Sequence, residues 1–480
     1  MTSTEELAAS IRSGPTGPEI AAVFDFDGTL IDGFSAAALY EHRFRNFEIW
    51  PEELVRTARR MAGPTMTEEQ FTELVEGGLG GWRGRTESDV MELGERLFAQ
   101  GTAGILFHEA WWLVKAHQDA GHTVVIATSA TELQVAPLAR ELGVEHVLCT
   151  RLEVEDGLLT GKVTGRAPWG EGKIVAVREF LDSKDIDLAD LHAYANGDED
   201  LPLLAAAGHP HPVNPEPELA QAAAQRGWPT LRFRPRKTGR LDPTPALRTA
   251  ALFGTLVASA GVGTAVGLMN GNRRRGIDVA TSVFDAVAGP LTDIEIEVTG
   301  EEHAWSHRPA VFFINHQSTM VDFLVTTRVI RTGFTAVAKA EVKQMPVVGQ
   351  LFDLAGVAFL DRADRKKAID ALRPAVETLQ GGTSVVMAPE GTRSLTPRLG
   401  SFKKGGFHMA MQAGVPIVPI VIRNAGEIMW KNAKTVQSGK VQVAVLPPVH
   451  TDGWTNDELD KRVDEVREMY VSTLRDWPIM

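Results

Sequence analysis

The hexapeptide Asp25-Phe26-Asp27-Gly28-Thr29-Leu30 follows the apolar run Ala21 to Phe24. A carboxylate held at the end of a buried strand can attack a phosphoryl group. Asp27, two residues on, points to the same side and can protonate the leaving oxygen, then activate water. Because an anionic nucleophile must approach an anionic phosphate, this chemistry calls for a metal ion. A second constellation lies far along the chain. Asn315-His316-Gln317-Ser318 follows the apolar run Val311 to Ile314, and Asp322 begins the next helical run. An imidazole can take a proton from a substrate hydroxyl while a carboxylate behind it fixes the tautomer and steadies the imidazolium. The hydroxyl can then attack a thioester directly, with no serine or cysteine nucleophile. Glu390-Gly391-Thr392-Arg393 comes after another apolar run. Its glycine allows close backbone approach, and Arg393 offers a forked donor for phosphate. Arg362 is a further cation placed just after a strand-like run.

Both sets need rigid elements to hold them. The first half alternates short apolar runs with helical patterns, as an α/β sheet does. Residues 21–26, 123–128 and 191–196 read as parallel strands, each ending at a polar residue where an α/β sheet binds ligands. The long helical stretch between the first two reads as an inserted cap over about 33–118. Residues 154–163 read as a hairpin with Asp156-Gly157 at its turn. In the second half the strand expectations are 310–314, 335–338, 357–360, 384–388, 417–422 and 440–446. Residues 456–475 make a final amphipathic helix.

At 480 residues the chain has room for two full cores. A formal net charge of −13 argues against general nucleic-acid binding. Cys149 is the only cysteine, so no intramolecular disulfide forms, in keeping with a reducing compartment. Glu5 and Glu6 stand where a secretory signal would be basic, so the chain is expected to stay in the cytoplasm. Between the halves, Arg232, Arg234, Arg236, Lys237 and Arg240 lie among prolines and a glycine, as in a linker. It leads into residues 249–272, which carry no charge and are closed by Arg273-Arg274-Arg275. Basic flanks at both ends and five interrupting glycines favour a segment lying in or re-entering the inner face of the cell membrane over a single span.

The Asp-x-Asp-Gly-Thr-Leu pattern after a strand resembles the haloacid dehalogenase superfamily, over roughly residues 18–234. The resemblance implies a doubly wound, Rossmann-like α/β domain whose helical cap is similar to that of the phosphoserine-phosphatase branch. It implies that Thr128 binds phosphate by its hydroxyl and that Lys173 neutralises it. It also implies that Asn196-Gly197-Asp198-Glu199-Asp200 is a Mg²⁺ loop acting with Asp25 and Asp27. That family places aspartates four apart in this loop, and here the earlier one is Asn196, so Asn196 and Asp200 are the expected ligands and Asp198 a substitute. Nine residues after Asp25, where the branch has a glutamate for the substrate's amine, stands Phe34. It cannot pair with an ammonium, so free phosphoserine is not the expected substrate.

The later motifs resemble the lysophosphatidic-acid type of glycerolipid acyltransferase, with all blocks in order. These are Asn315-His316, then Gly356 to Arg362, then Glu390 to Arg393 with Phe402-Lys403-Lys404-Gly405, and Val415-Pro416-Ile417-Val418-Pro419. The resemblance implies an α/β acyltransferase domain over 273–480 and a membrane-associating stretch at 235–272. It implies that Arg362, Glu390, Gly391, Thr392 and Arg393 hold an acceptor's phosphate, that His316 is the base, and that acyl-CoA or acyl carrier protein donates the chain. The family has four residues between His and Asp, whereas here there are five, so the helix bearing Asp322 is expected to start one residue late. The combined expectation is a bifunctional enzyme that acylates 1-acyl-sn-glycerol 3-phosphate to phosphatidic acid and hydrolyses a phosphomonoester. Its alternative keeps an acyltransferase, for another lysophospholipid or glycerol 3-phosphate, and makes the phosphatase-like half a binding or regulatory module.

Overall fold

A computed structural model of the chain describes residues 3–49, 55, 66–236, 242–339, 349–350, 358–360 and 372–477. Arg362 lies outside the described residues. The chain divides into two compact units, Met1–Gly239 and Arg240–Met480. Each is α/β, built on its own sheet.

The first unit's strands are β1 (Ala21–Phe24), β2 (Thr123–Thr131), β3 (His146–Glu155), β4 (Leu158–Thr164), β5 (Leu191–Ala195) and β6 (His209–Pro212). They line up as β4-β3-β2-β1-β5-β6, and only β3–β4 is antiparallel. All four residues of β1 are buried, which is why it reads as an unbroken apolar run. Phe24 lies opposite Ile126 and Tyr194, so the chain leaves β1 between the ends of its two neighbours. Asp156 and Gly157 both have positive φ, 52° and 77°, the type I′ hairpin geometry that Asp-Gly favours. β6 was not among the expected strands, because His-Pro-His-Pro reads as loop. It is an edge strand paired only to β5, the position that tolerates proline. Cys149, on β3, is buried.

The inserted cap includes helices Ala36–Arg45, Glu68–Leu79 and Glu87–Gln100. Its two ends meet where Asp32 N–H donates to the Ile105 carbonyl (2.7 Å) and Phe107 N–H to that of Leu30 (2.9 Å). The expected boundary near 118 is therefore corrected to about 105. Helix His108–Asp119 packs on β2 and on helix Thr4–Ser13, as the crossover of the sheet layer. Leu79, Trp82, Val90 and Leu93 of the insertion share a core with Leu133 and Leu159. Gly94 allows the closest approach, since a Cβ there would lie 2.1 Å from the Leu133 carbonyl oxygen.

The second unit's strands are β7 (Ile294–Thr299), β8 (Val311–Ile314), β9 (Phe334–Lys339), β10 (Ala358–Leu360), β11 (Ser384–Met387), β12 (Ile417–Ile422) and β13 (Gly439–Val445). Their order is β10-β9-β11-β8-β12-β13-β7, and only β12–β13 is antiparallel. β8 thus runs parallel between β11 and β12, and the loops after β8 and β11 emerge side by side. The final helix, Leu459–Arg475, starts a little later than expected. Ahead of the sheet, the 26-residue helix Thr244–Met269 turns at Gly271 and packs along helix Arg273–Thr292. Glycines let the two backbones close up, for a Cβ on Gly263 would lie 2.4 Å from the Gly276 carbonyl oxygen. The first of these helices is long and apolar enough to cross a membrane, and most of its apolar stretch is not buried.

Candidate active sites

Asp25 follows β1 and is tied to the neighbouring strand by its N–H, which donates to the Tyr194 carbonyl (2.9 Å). Its Oδ1 accepts from Lys173 Nζ at 2.9 Å, and the same ammonium lies 2.5 Å from Asp200 Oδ1. All three side chains are buried. Desolvation works against the ammonium, but the two carboxylates overcome it and hold Lys173 well above the usual lysine range. Burial pushes Asp200 up, helped by Asp25 and Glu199 and opposed by Lys173. Thr128, in the β2 segment facing this edge, is buried with its hydroxyl accepting from Ala130 N–H (3.0 Å).

Asp27 is held by Ser35, whose N–H donates to Oδ1 (2.7 Å) and whose hydroxyl lies 3.1 Å from Oδ2. Gln134 Nε2 in turn donates to the Ser35 hydroxyl (2.8 Å). Burial pushes Asp27 up to about 7, with the Ser35 N–H pulling down and the charge of Asp25 adding to the rise. A carboxyl of that strength can give and take a proton near neutrality. Neither Ser35 nor Gln134 was legible as a site residue, since nothing in their spacing marks them.

Asn196 follows β5 and accepts from the Thr29 hydroxyl through Oδ1 (3.0 Å). Gly28, at φ 79°, makes room for it, because a Cβ there would lie 2.3 Å from its amide nitrogen. Asp198, the possible substitute ligand, instead accepts from Leu219 N–H (2.7 Å) and caps helix Pro217–Arg226. Among the described residues no three His, Cys, Asp or Glu side chains gather as a metal cluster. Asp200, joined to Asp25 through Lys173, and the Asn196 amide, bonded to Thr29, carry oxygens of the hard type that Mg²⁺ takes. Phe34, next to Ser35, is 53% exposed.

In the second unit, His316 Nδ1 lies 2.7 Å from Asp322 Oδ2. The same oxygen accepts from Gln317 N–H (3.1 Å) and Ser318 N–H (3.0 Å). Ser318 stands at the start of helix Thr319–Ile330 without a side-chain capping bond, and the carboxylate of Asp322 folds back over the first turn to collect the free amides there. The pair is thus within hydrogen-bond distance across the five intervening residues. Burial pushes Asp322 up, and the bonds from His316, Ser318 and Gln317 oppose it. With Nδ1 turned to Asp322, the tautomer that fits leaves Nε2 as the acceptor.

The loop bearing His316 is pinned from both sides. Asn315 exchanges two 2.7 Å bonds with the backbone of Ile422 on β12, and Gln317 Oε1 accepts from Gly426 N–H (2.9 Å). Toward β11, His316 N–H donates to Glu390 Oε1 (2.7 Å) and its carbonyl accepts from Ser394 N–H (2.8 Å). Glu390 Oε2 accepts from Gly400 N–H (2.7 Å) and the Ser394 hydroxyl (3.0 Å). Glu390 is buried with both oxygens engaged, so it does not reach outward for a phosphate as expected. Gly391, at φ 76°, reverses the chain beyond it and leaves Thr392 exposed. Arg393 Nη1 donates to the Lys431 carbonyl (2.7 Å), and Lys431 Nζ to that of Arg393 (2.8 Å).

The first unit matches the haloacid dehalogenase-like hydrolase family model over residues 22–205, and the second matches the Acyltransferase model over 295–423. The chain belongs to the acyltransferase family. It is 32% identical to an uncharacterized acyltransferase of Schizosaccharomyces pombe, over 39% of this chain and 68% of that protein. It is 35% identical to a 1-acyl-sn-glycerol-3-phosphate acyltransferase of Saccharomyces cerevisiae, over 41% of this chain and 66% of that one. It is also 40% identical to a probable phosphatase of Mycobacterium tuberculosis, over 33% of this chain and 57% of the relative. The chain spans 64–66% of the length of three 1-acyl-sn-glycerol-3-phosphate acyltransferases it matches.

Proposed function

We propose that the second unit transfers a fatty acyl group from acyl-CoA or acyl carrier protein to 1-acyl-sn-glycerol 3-phosphate, giving phosphatidic acid. The observation that carries this reading is the His316–Asp322 pair at 2.7 Å, on a loop pinned to both neighbouring strands. His316 Nε2 takes the proton of the acceptor hydroxyl as its oxygen attacks the thioester carbonyl, and the thiolate leaves. Asp322 holds the ring and steadies its positive charge. Arg393, with Gly391, Thr392 and Arg362, is proposed to meet the acceptor's phosphate. Helix Thr244–Met269, exposing Leu247, Val257, Val262, Leu268 and Met269, is proposed to rest on the cytoplasmic face of the membrane and bring the unit to its lipid.

For the first unit we propose phosphomonoester hydrolysis. Asp25 attacks phosphorus and Asp27 protonates the departing alkoxide, then deprotonates the water that releases phosphate. Lys173, with Thr128, binds the phosphoryl oxygens. Mg²⁺, held by Asp25, Asp27, Asn196 and Asp200, would screen the charge between carboxylate and phosphate. A second reading makes this unit a binding module, favoured by Asn196, whose amide oxygen already faces the Thr29 hydroxyl.

The deciding assay is acyl transfer from labelled acyl-CoA or acyl carrier protein to lysophosphatidic acid, comparing wild type with His316→Ala and Asp322→Ala. The expected result is transfer by wild type, with losses of about a hundredfold or more in both variants. No acylation of any phosphate-bearing acceptor by wild type would sink the reading.

A further inference from the structure

The contacts of Glu390 assign it a role that its place in an Arg-containing phosphate loop conceals. A carboxylate only accepts hydrogen bonds, so it has no donor to offer a phosphate, and two anions side by side repel. Here its oxygens instead receive donors from three directions. Oε1 takes the backbone N–H of His316, and Oε2 takes Gly400 N–H and the Ser394 hydroxyl. Ser394 N–H closes the circuit on the His316 carbonyl. Both backbone polar groups of the base are therefore held by the loop after β11.

We infer that Glu390 is a positioning residue. It clamps the backbone of His316 to the β11 loop and so sets where Nε2 meets the acceptor hydroxyl. This rests on the acyl-transfer reading of the second unit. Gly400 belongs to the same clamp, since a Cβ there would lie 2.9 Å from Glu390 Oε2 and press the carboxylate off its donors. Replacing Glu390 by glutamine keeps the size but turns one acceptor into a donor. If the remaining oxygen faces His316, the new NH₂ faces Gly400 N–H, and the clamp opens on one side. Its action is on the geometry of the base, so the chemical step suffers while binding of the acceptor does not.

The experiment uses the full chain as wild type, Glu390→Gln, Gly400→Ala and the double variant. It reads kcat and KM for lysophosphatidic acid alongside backbone hydrogen exchange over residues 315–318. Glu390→Gln is expected to lower kcat about a hundredfold, with KM within about twofold. Gly400→Ala is expected to lower kcat about tenfold, and the double variant to be no worse than Glu390→Gln alone. Exchange over 315–318 should quicken in both single variants while that of β12 stays at the wild-type rate. A change in KM with kcat preserved, or fully additive losses, would overturn the clamp and return Glu390 to the substrate. Unchanged exchange over 315–318 would overturn it whatever the kinetics. A wild type that acylates nothing would remove the acyl-transfer reading, and the exchange rates would still decide whether Glu390 holds the loop.

Discussion

Lys173 is bonded to both Asp25 and Asp200. Lys173→Met would leave two buried carboxylates facing each other, a defect worth about 3–5 kcal/mol. Denaturant unfolding should show that loss in the first unit, together with abolished hydrolysis. Asn196→Asp works the other way, adding a charged oxygen beside Asp25 and Asp200. Tighter Mg²⁺ binding and faster hydrolysis of a test phosphomonoester should follow, and a rise from nothing would favour the binding-module reading of the natural chain. Asp25 and His316 were legible because each comes just after an apolar strand, and Asp27 and Asp322 because of their spacing from them. Ser35, Gln134, Ser394 and Gly400 were not. They reach the site through bonds that only the folded chain brings together, such as Gln134 to Ser35 and Gly400 to Glu390. Glu390 was legible as a candidate site residue but not in its direction, which its bonds to His316, Ser394 and Gly400 reveal.

Strands that end at chemistry were the easiest elements to read. β1, β5, β8 and β12 are apolar throughout or nearly so, because neighbours cover both faces. β7 lies outside the expected strands, although Ile294-Glu295-Ile296-Glu297-Val298 alternates as a half-exposed strand should. It lies at an edge, where Glu295 and Glu297 ion-pair with Lys440 of β13. The end of the cap was also hidden, since helix His108–Asp119 continues the helical pattern of the insertion although it packs on the sheet. Between helices Thr244–Met269 and Arg273–Thr292, the glycine contact sets the spacing. Gly263→Val would force the backbones apart, costing about 1–3 kcal/mol, and a fall in the melting temperature of the second unit is the expected readout.

At the scale of the molecule, the described residues of each candidate site come from one unit. Chelating divalent ions should therefore stop phosphomonoester hydrolysis while leaving acyl transfer at its original rate. The units should also differ in acid. His117, His192 and His211 lie together in the first unit, with His117 Nε2 2.8 Å from the Tyr194 hydroxyl and His192 Nδ1 3.2 Å from His211 Nε2. Burial and their neighbouring imidazoles hold all three down, His192 and His211 to about 3. An unfolded histidine binds its proton near 6.5, so the unfolded chain takes up more protons over that interval. The stability these side chains confer is complete above about pH 6.5 and drains away as pH falls toward 3, at up to about 1.4 kcal/mol per pH unit for each. Melting followed from pH 7 to pH 4 should show the first unit's transition falling faster than the second's. Cys149 has a practical bearing on such experiments. Buried in β3, with burial pushing its thiol up to about 11, it offers almost no thiolate to a maleimide at neutral pH. A cysteine introduced on the surface of either unit would then be the sole labelling point, and a single fluorophore could follow that unit's melting without background from the native chain.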